Sequence, residues 1–317
     1  MNPIISLPED LRNKISAGEV VERPASVVKE LLENSLDAGA TELTIVIEKG
    51  GHQLIQVRDN GHGISTDGLF KAFQRYTTSK ISNIDDLFNI QTLGFRGEAL
   101  ASIASVSEIN VTSSVDEISG YQMSLADGLT NDIKAAAPIG GTEITVRNLF
   151  YNTPARRKFL KSINSEFRQI VKMVRRFGLD FPDVSFILKH NNKKILNLIP
   201  EKLEDRIVSI NDPTFRDQLL KVELNKGDYI ISGFVGTLNL IRKRPGQQYL
   251  FVNRRYVQNR LLNSAVYSAY ESLVKRGEYP FSLLNLTIPT DQLDVNVHPM
   301  KIEVKFIDEW RVYHVVK

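Results

Sequence analysis

Hydrophobic residues recur at helical spacing over residues 24–39, and polar residues share the opposite side of the predicted helix. Pro24 suits the first turn, where its missing N–H loses no hydrogen bond, and Gly39 suits the position just past the end. The apolar arc comprises Val27, Val28, Leu31, Leu32 and Leu36. The polar stripe comprises Glu30, Asn34 and Asp37. Such a stripe is either the solvent face of an amphipathic helix or one wall of a binding site.

The next two predicted strands, at residues 42–48 and 53–59, pair as a hairpin. Ile55, Val57 and Asp59 have the same parity in the second strand, so the carboxylate points to the face that the two aliphatic side chains bury. Burying a carboxylate without a partner is costly, so Asp59 is predicted to have a dedicated hydrogen-bond donor. The Asp59 side chain either binds a ligand or caps the end of the strand.

Strand and helix patterns also fill the rest of the first half of the chain. Further strands are predicted at residues 108–114, 121–126 and 142–149, and helices at 98–104 and from 152 towards 178. The long helix is expected to face the sheet with Phe159, Ile163, Phe167, Ile170 and Val174. The predicted class is α+β, with a mainly antiparallel sheet covered by helices on one face as an α/β sandwich.

A change of pattern near Pro200 marks a predicted domain boundary, because a strand pattern ends there and a helix pattern begins. We therefore predict one domain at residues 1–200 and a second at residues 201–317. The second domain is also predicted to be α+β, with a helix at 259–275 between strands. Its predicted strands are at residues 220–225, 228–237, 248–253, 282–288 and 301–306.

The composition narrows the class of protein. With 317 residues, 42% of them hydrophobic and 24% charged, the chain is typical of globular proteins. The absence of cysteine excludes disulfides, cysteine-ligated zinc and cysteine nucleophiles. The sequence contains no long apolar run and no recognisable signal peptide. We therefore expect a cytoplasmic protein, associated with the nucleoid if bacterial, without a membrane partner.

Three residues of the first helix and hairpin match the needs of ATP hydrolysis. Glu30 is a candidate general base for a water molecule aligned on the terminal phosphate. Asn34, one turn later, offers a neutral oxygen to Mg²⁺, which takes its other ligands from water and phosphates. Asp59 can accept a hydrogen bond from the amino group of adenine, where guanine presents a carbonyl. ATP and Mg²⁺ are the predicted cofactors.

Glycine-rich turns and a polar lid supply the predicted phosphate-binding groups. Backbone N–H groups at a helix start form an anion site, which we expect where residues 94–97 lead into a helix. The lid is predicted over residues 70–93, and Lys301 adds a positive charge at the terminal phosphate. The other predicted nucleotide-binding residues are Asp37, Gly61, Gly63, Thr77, Ser79, Lys80, Gly94, Phe95, Arg96, Gly97, Glu98, Ala99, Leu100 and Thr142.

The positive charge of the chain is unevenly distributed. Residues 1–200 contain 23 basic and 23 acidic residues, whereas residues 201–317 contain 17 basic and 14 acidic ones. Residues 242–260 contain six basic residues and no acidic one, which favours either a phosphate backbone or a solvated charged loop. The predicted DNA-binding residues are Arg242, Lys243, Arg244, Arg254, Arg255 and Arg260.

Together these motifs resemble the GHKL ATPase superfamily, which includes gyrase-type topoisomerases, heat-shock chaperones, histidine kinases and MutL proteins. Within it, the chain most resembles the MutL mismatch-repair family. The resemblance extends over nearly the whole chain. The motifs that carry it lie at residues 15–24, 29–39, 94–100, 151–157 and 294–299.

The resemblance implies a GHKL-type ATPase domain followed by a transducer domain similar to a ribosomal-protein fold. It implies that Glu30 is the general base, Asn34 the Mg²⁺ ligand, Asp59 the adenine contact, and Lys301 the transducer lysine on the terminal phosphate. ATP is expected to make two heads dimerise into a DNA clamp, and Arg260 matches a DNA-binding arginine of the family. The implied partners are DNA, single- or double-stranded, a MutS-type mismatch-recognition protein, and a downstream endonuclease or helicase.

The family also implies a longer protein, in which a flexible linker leads to a C-terminal dimerisation domain. Three other interpretations remain. A topoisomerase or chaperone ATPase shares the pocket but lacks the motif at residues 151–157. A histidine kinase requires a phospho-accepting histidine in a dimerisation helix, which the sequence does not show. A DNA-binding scaffold uses ATP only as an ordering ligand and does not hydrolyse it.

Overall fold

The computed structural model describes residues 6, 8, 17–18, 20–81, 83, 86, 92–94, 97–126, 129–294 and 304–317. The chain divides into two compact units. The first unit comprises Met1–Ser82, Thr92–Arg175 and Val184–Ile199, and the second comprises Asn83–Gln91, Arg176–Asp183 and Pro200–Lys317. Each unit therefore contains segments that are separated in the sequence.

A nine-stranded sheet is the base of the first unit. The strands are β1 (Glu42–Glu48), β2 (Leu54–Asp59), β3 (Glu108–Ser114), β4 (Gly120–Ala126), β5 (Leu129–Thr130), β6 (Lys134–Ala136), β7 (Gly141–Arg147), β8 (Ser185–His190) and β9 (Lys193–Leu198). Their order is β5-β4-β3-β7-β2-β1-β8-β9, and β6 also pairs with β4. Within this sheet β1 and β8 pair in parallel, and the other pairs are antiparallel. The predicted, mainly antiparallel sheet is confirmed.

The first helix whose bounds the structure describes in the first unit is α1 (Pro24–Asp37), as the sequence predicted. The others with described bounds are α2 (Thr66–Ala72), α3 (Ala99–Ala104), α4 (Pro154–Phe159) and α5 (Ile163–Asp180). Pro24 occupies the first turn of α1, and Gly39 follows its end with a positive φ of 73°. Helix α1 packs on β2 with its apolar arc, in which Val27 and Leu32 are fully buried. The segment that bears Glu30 and Asn34 is thereby fixed against the sheet.

The prediction of one continuous helix from residue 152 towards 178 is wrong, because the chain breaks between α4 and α5. Leu160 adopts an extended conformation at the end of α4. The backbone N–H of Lys161 donates to Oε1 of Glu166 at 2.9 Å, which satisfies a donor at the break. Phe159 is 86% exposed and Ile163 is 40% exposed, so neither packs on the sheet as predicted, whereas Ile170 is fully buried.

The second unit contains a five-stranded sheet in the order β10-β11-β14-β12-β13, where β12 and β14 pair in parallel. The strands are β10 (Leu219–Lys226), β11 (Tyr229–Gly236), β12 (Gln248–Val252), β13 (Arg255–Tyr256) and β14 (Ser282–Thr287), and β15 (Leu293–Asp294) pairs separately with β16 (Lys305–Phe306). The helices of this unit whose bounds the structure describes are α6 (Leu203–Ile210), α7 (Arg260–Ala269) and α8 (Glu309–Val316). Helix α7 ends six residues earlier than predicted, and the predicted strand at 301–306 is described only from residue 304.

Arg206 explains why residues 176–183 belong to the second unit. Its side chain is fully buried in α6, and its guanidinium donates to the carbonyl oxygens of Gly178 at 2.9 Å and Pro182 at 2.8 Å. Its third contact is an ion pair with Glu201, in which Nε lies 2.8 Å from Oε1. A planar guanidinium can satisfy several acceptors at once, so this single side chain joins three segments of the unit.

Candidate nucleotide-binding and catalytic site

Glu30 lies beside a buried lysine and not on an open solvent face. Lys29 Nζ is 3.0 Å from Oε1 of Glu30 and 2.8 Å from Oε1 of Glu33. The side chains of Lys29 and Glu33 are each 7% exposed, and that of Glu30 is 14% exposed. Burial opposes the charge of Lys29, but Glu30 and Glu33 outweigh it and raise the lysine pKa above its usual value. The candidate base is therefore held by a charged neighbour.

Asp59 is buried at the end of β2, as the parity of the strand predicted, and it has hydrogen-bond donors. Ser35 of α1 donates to Oδ2 at 2.6 Å. The backbone N–H groups of Gly61 and Thr142 donate to Oδ1 at 2.9 and 3.2 Å. A carboxylate offers about four lone-pair sites, so these three donors leave room for about one more. That site is available to a donor of a ligand.

Asp37, at the end of α1, contacts the polar segment that was predicted as a lid. Leu93 N donates to its Oδ1 at 2.9 Å, and Gly94 N donates to its Oδ2 at 3.0 Å. Lys80 Nζ lies 2.5 Å from Oδ2 of Asp37 and 2.9 Å from Oδ1 of Asn34. The polar stripe of α1 thus contacts Lys80, Leu93 and Gly94.

Two of the predicted glycines are needed because the backbone passes close to a neighbour. Gly63 has a φ of 72°, and a Cβ there would lie 2.1 Å from the carbonyl oxygen of Ser114. Gly97 has a φ of 61°, and a Cβ there would lie 2.4 Å from the carbonyl oxygen of Thr77. Both the conformation and the space exclude a larger residue. The turn after β2 and the loop before α3 therefore depend on glycine.

Thr142, the first inward position of β7, belongs to a buried hydroxyl cluster beside Asp59. Its Oγ1 is 2.8 Å from Oγ of Ser113, and Ser113 Oγ also contacts the carbonyl oxygen of Gly141 at 3.0 Å. The backbone N–H of Ile64, in the turn after β2, donates to Ser113 Oγ at 2.8 Å. The cluster fixes this turn against β3 and β7, which holds the N–H groups around Asp59 in place.

The other predicted nucleotide-binding residues lie around the start of α3 and the lid. Helix α3 begins at Ala99, with Glu98 as its N-cap and Leu100 in its first turn. Thr77 Oγ1 donates to the carbonyl oxygen of Lys71 in the last turn of α2 and to that of Gln74 just beyond it, so its hydroxyl caps the end of that helix. Ser79 is exposed. The predicted residues Phe95, Arg96 and Lys301 lie outside the described residues.

The donor set of α1 fits a magnesium ion that is brought by a nucleotide. Oδ1 of Asn34 accepts a hydrogen bond from the ammonium of Lys80, which shows that this oxygen faces a position where a positively charged group can lie. In the described part of the chain, no three His, Cys, Asp or Glu side chains cluster to hold a metal ion. One amide oxygen is compatible with Mg²⁺, because this ion keeps several waters and binds phosphate oxygens.

The predicted DNA-binding residues of the second unit differ in exposure. Lys243, Arg244 and Arg260 are exposed, and Arg260 is the first residue of α7. Arg254 is exposed and lies over the ring of Phe181, with 5.2 Å between the guanidinium carbon and the ring centroid. Arg242 is half-buried. Arg255 is 8% exposed, and a buried guanidinium is not available to a phosphate backbone, so we leave it out of the proposed surface.

Two features of the first unit were missed by the sequence analysis. The first is the buried group of Lys29 and Glu33, whose spacing of four residues was a possible signal. The second is a basic face on α5. Arg168, Lys172 and Arg175 are exposed at helical spacing, and the only acidic residue between positions 156 and 176, Glu166, is 1% exposed. The balanced charge of residues 1–200 concealed this local excess.

Comparisons with known proteins agree with this geometry. Residues 22–139 match the family model described as histidine kinase-, DNA gyrase B- and HSP90-like ATPase. Residues 207–317 match the model of the C-terminal domain of DNA mismatch repair protein. The MutL protein of Dictyoglomus turgidum is 44% identical over 317 residues, which are 100% of this chain and 55% of that protein.

The chain belongs to the MutL family of DNA mismatch repair proteins. Among solved structures, the Aquifex aeolicus MutL ATPase domain complexed with ADP is 26% identical, with a TM-score of 0.65 over 94% of this chain and 98% of that one. The N-terminal domain of a DNA repair protein has a TM-score of 0.83 at 24% identity, over 96% and 95% of the two chains, which shows a shared fold.

The match covers the N-terminal ATPase and transducer region of MutL. The chain spans about half the length of the curated relatives it matches, such as 55% and 47% of two of them. The predicted fold class, a GHKL ATPase sheet followed by a second α+β domain, is confirmed. Within the described residues, no helix combines the length and hydrophobicity needed to span a bilayer.

Proposed function

We propose that this chain binds ATP with Mg²⁺ and hydrolyses it slowly, as the N-terminal ATPase region of a MutL-type mismatch repair protein. Nucleotide binding gates the association of two heads into a DNA clamp. The clamp connects a MutS-type mismatch-recognition protein to a downstream endonuclease or helicase in the cytoplasm. In this proposal the ATPase domain is residues 1–200 and the transducer domain is residues 201–317.

The hydrogen bond between Ser35 and Asp59 is the observation that supports this proposal most. It joins α1, which bears Glu30 and Asn34, to the end of β2, where the candidate adenine acceptor lies, at 2.6 Å. A base, an amide oxygen and a buried carboxylate are thereby fixed on adjoining elements. The ADP complex of the Aquifex aeolicus MutL ATPase domain supports the same ligand class.

In the proposed mechanism, Glu30 accepts a proton from the water that attacks the terminal phosphate. The ammonium of Lys29, 3.0 Å away, orients this carboxylate through an ion pair. Asp59 accepts the adenine amino group while Ser35 and two backbone N–H groups hold its carboxylate. Mg²⁺ at Asn34 neutralises phosphate charge when it is bound. Lys301 is proposed to add a positive charge at the terminal phosphate.

Five of the six predicted basic residues remain in the proposed DNA surface of the second unit. Arg242, Lys243, Arg244, Arg254 and Arg260 are the residues concerned. Arg260 is the first residue of α7, where the positive end of the helix dipole adds to the attraction for a phosphate. These residues are proposed to contact the phosphate backbone of DNA. Such contacts carry no sequence information, so binding is expected not to depend on the DNA sequence. Steering by this surface is expected to weaken with salt.

The test of the proposed ATPase is phosphate release by the wild-type protein and two variants. Glu30→Ala should abolish phosphate release and retain ADP binding, because the carboxylate is proposed to act on the attacking water and not on the nucleotide. Asn34→Ala should lose both phosphate release and ADP binding, because it removes the proposed metal ligand. Glu42→Ala, at an exposed carboxylate on β1, is the matched control and should behave as wild type. Normal turnover in Glu30→Ala would refute the assignment of the base.

If the wild-type protein binds ATP but releases no phosphate, with or without DNA, the result would favour the interpretation in which ATP only orders the protein and is not hydrolysed. In that outcome the chain is a nucleotide-gated scaffold. Isothermal titration with ADP therefore accompanies every kinetic assay.

A further inference from the structure

Strand β10 (Leu219–Lys226) is an open edge of the sheet in the second unit. Among the strands that the structure describes, β10 pairs with β11 only. Thr237 N donates to the carbonyl oxygen of Gln218 at 2.9 Å, so the pair that precedes the strand is a hydrogen-bonded one. Along an antiparallel pair, backbone groups alternate between facing the neighbouring strand and facing away from it. The N–H and C=O groups of Lys221 and Glu223 therefore face the free edge.

Apolar and charged side chains alternate along β10, and many of them are exposed. Leu220 and Leu224 are 54% and 40% exposed. Leu224 is opposite Ile231, a buried residue of the core, so the two leucines lie on the core face of the sheet. On the other face, Lys221 and Glu223 form an ion pair at 2.8 Å, with side chains 69% and 70% exposed. Such an exposed ion pair contributes little stability, so either charge can change its partner at a small cost.

The order of these side chains is symmetric about Val222. When two β10 strands pair antiparallel with Val222 at the centre, each exposed leucine is opposite a leucine, and each Lys221 is opposite Glu223 of the second copy. Both charged residues then also exchange backbone hydrogen bonds with the second copy, because their N–H and C=O groups face the free edge. A pair centred on Lys221 or on Glu223 instead places like charges opposite each other, which is destabilising. The charges of β10 therefore favour one register.

We propose that β10 is a docking surface for a second copy of this chain, in which the two strands pair antiparallel about Val222 and join two five-stranded sheets. Charged residues on an edge normally discourage pairing, but here they are arranged to attract the same strand of a second copy. The pairing involves no nucleotide, so this surface is separate from the ATP-gated association of heads in the proposed function. One strand from each copy makes a small interface, so the association is weak and depends on protein concentration.

The association is tested by analytical ultracentrifugation of the protein without nucleotide or DNA, over a series of concentrations. The average mass of the wild-type protein should rise from one chain towards two. Lys221→Glu places a carboxylate opposite Glu223 at both ends of the pair, so the dissociation constant should rise at least about tenfold. Lys221→Glu/Glu223→Lys restores opposite charges and should restore the wild-type constant. Lys275→Glu makes the same change of charge at an exposed lysine outside the strand, and it should associate as the wild type does.

Three results of this experiment would overturn the proposal. They are a wild-type dissociation constant above about 1 mM, an unchanged constant in Lys221→Glu, and a double variant that associates no better than the single one. Lys221 and Glu223 are exposed, so these variants are expected to fold, and their unfolding midpoints check this.

The register is tested by cross-linking, because the chain contains no cysteine of its own. In the proposed pair, Val222 is opposite Val222 of the second copy at a non-hydrogen-bonded position. The Cα atoms at such a position are about 4.5 Å apart, which a disulfide can bridge. Val222→Cys should therefore form a disulfide-linked dimer under mild oxidation. In Leu220→Cys the two thiols are offset by four residues, about 13 Å along the strands, so this matched variant should link at least about tenfold more slowly.

Equal rates of cross-linking in the two cysteine variants would overturn the register. Both experiments are independent of the proposed function, because neither contains nucleotide. If the protein binds no ATP, the proposed function fails and the pairing of β10 is still decided by these measurements. Dimers that form only with ATP, and equally well in Lys221→Glu, would belong to the heads and would exclude β10 as the docking surface.

Discussion

Replacing Lys29 by methionine removes the one ammonium group that bridges Glu30 and Glu33. Methionine keeps the length of the buried stem, so the change is mainly one of charge. The pairs are 3.0 and 2.8 Å long, and the exposed fractions of the three side chains are 7, 14 and 7%. Breaking a buried ion pair by removing one of its charges costs about 3–5 kcal/mol. We expect Lys29→Met to lose about this much free energy of unfolding.

Urea denaturation at neutral pH measures this loss, with phosphate release as the second readout. The folded pKa of Lys29 is raised, so its stabilisation is fully present below its ordinary pKa of 10.5 and is lost only as pH rises through the higher folded value. Neutral pH therefore reports the full effect. Turnover is also expected to fall, since Glu30 loses the group that orients it.

The double variant Lys29→Met/Glu33→Gln is the matched control for charge. It also removes the negative charge of one of the two carboxylates that Lys29 contacts, so it should recover at least about 1 kcal/mol relative to Lys29→Met. A loss below about 1 kcal/mol in Lys29→Met, or no recovery in the double variant, would show that the buried charges are not coupled as described.

Three further predictions concern other named contacts. Ser35→Ala removes a buried bond to a carboxylate worth about 1.5–3 kcal/mol, so ADP affinity should fall about tenfold, and equal affinity in titration calorimetry would contradict this. Burial raises the pKa of Asp180 to about 7, so its stability contribution is present below 3.8 and lost as pH rises through 7. Asp180→Asn should thus stabilise the protein more at pH 8 than at pH 5 in denaturation experiments, whereas an equal gain at both would refute it. Arg260→Glu should weaken DNA binding and flatten the dependence of that binding on salt concentration. Lys226→Glu, at an exposed lysine outside the basic stretch, is the control. Unchanged DNA binding of Arg260→Glu at low salt would exclude this surface.

The sequence predicted the elements that carry the site, because periodicity and turn residues are local properties. Helix α1, the β1–β2 hairpin and the inward direction of Asp59 follow from spacing of 3.6 and 2 residues. Motifs with such fixed spacing also indicated the family. The break between α4 and α5 was harder to predict, since the residues around it, including Lys161 and Glu166 with their hydrogen bond, interrupt no apolar periodicity.

The tertiary structure alone decided which side chains share a partner. Asp37 contacts residues that lie 43 to 57 positions away in the sequence, and no local pattern specifies such distant pairs. The same holds for exposure: Lys29 and Arg255 are charged residues that the fold buries, and Phe159 is an aromatic residue that it exposes. Burial results from the packing of whole elements, so residue type sets only a preference, and the fold determines whether a charge is a surface contact or part of the site.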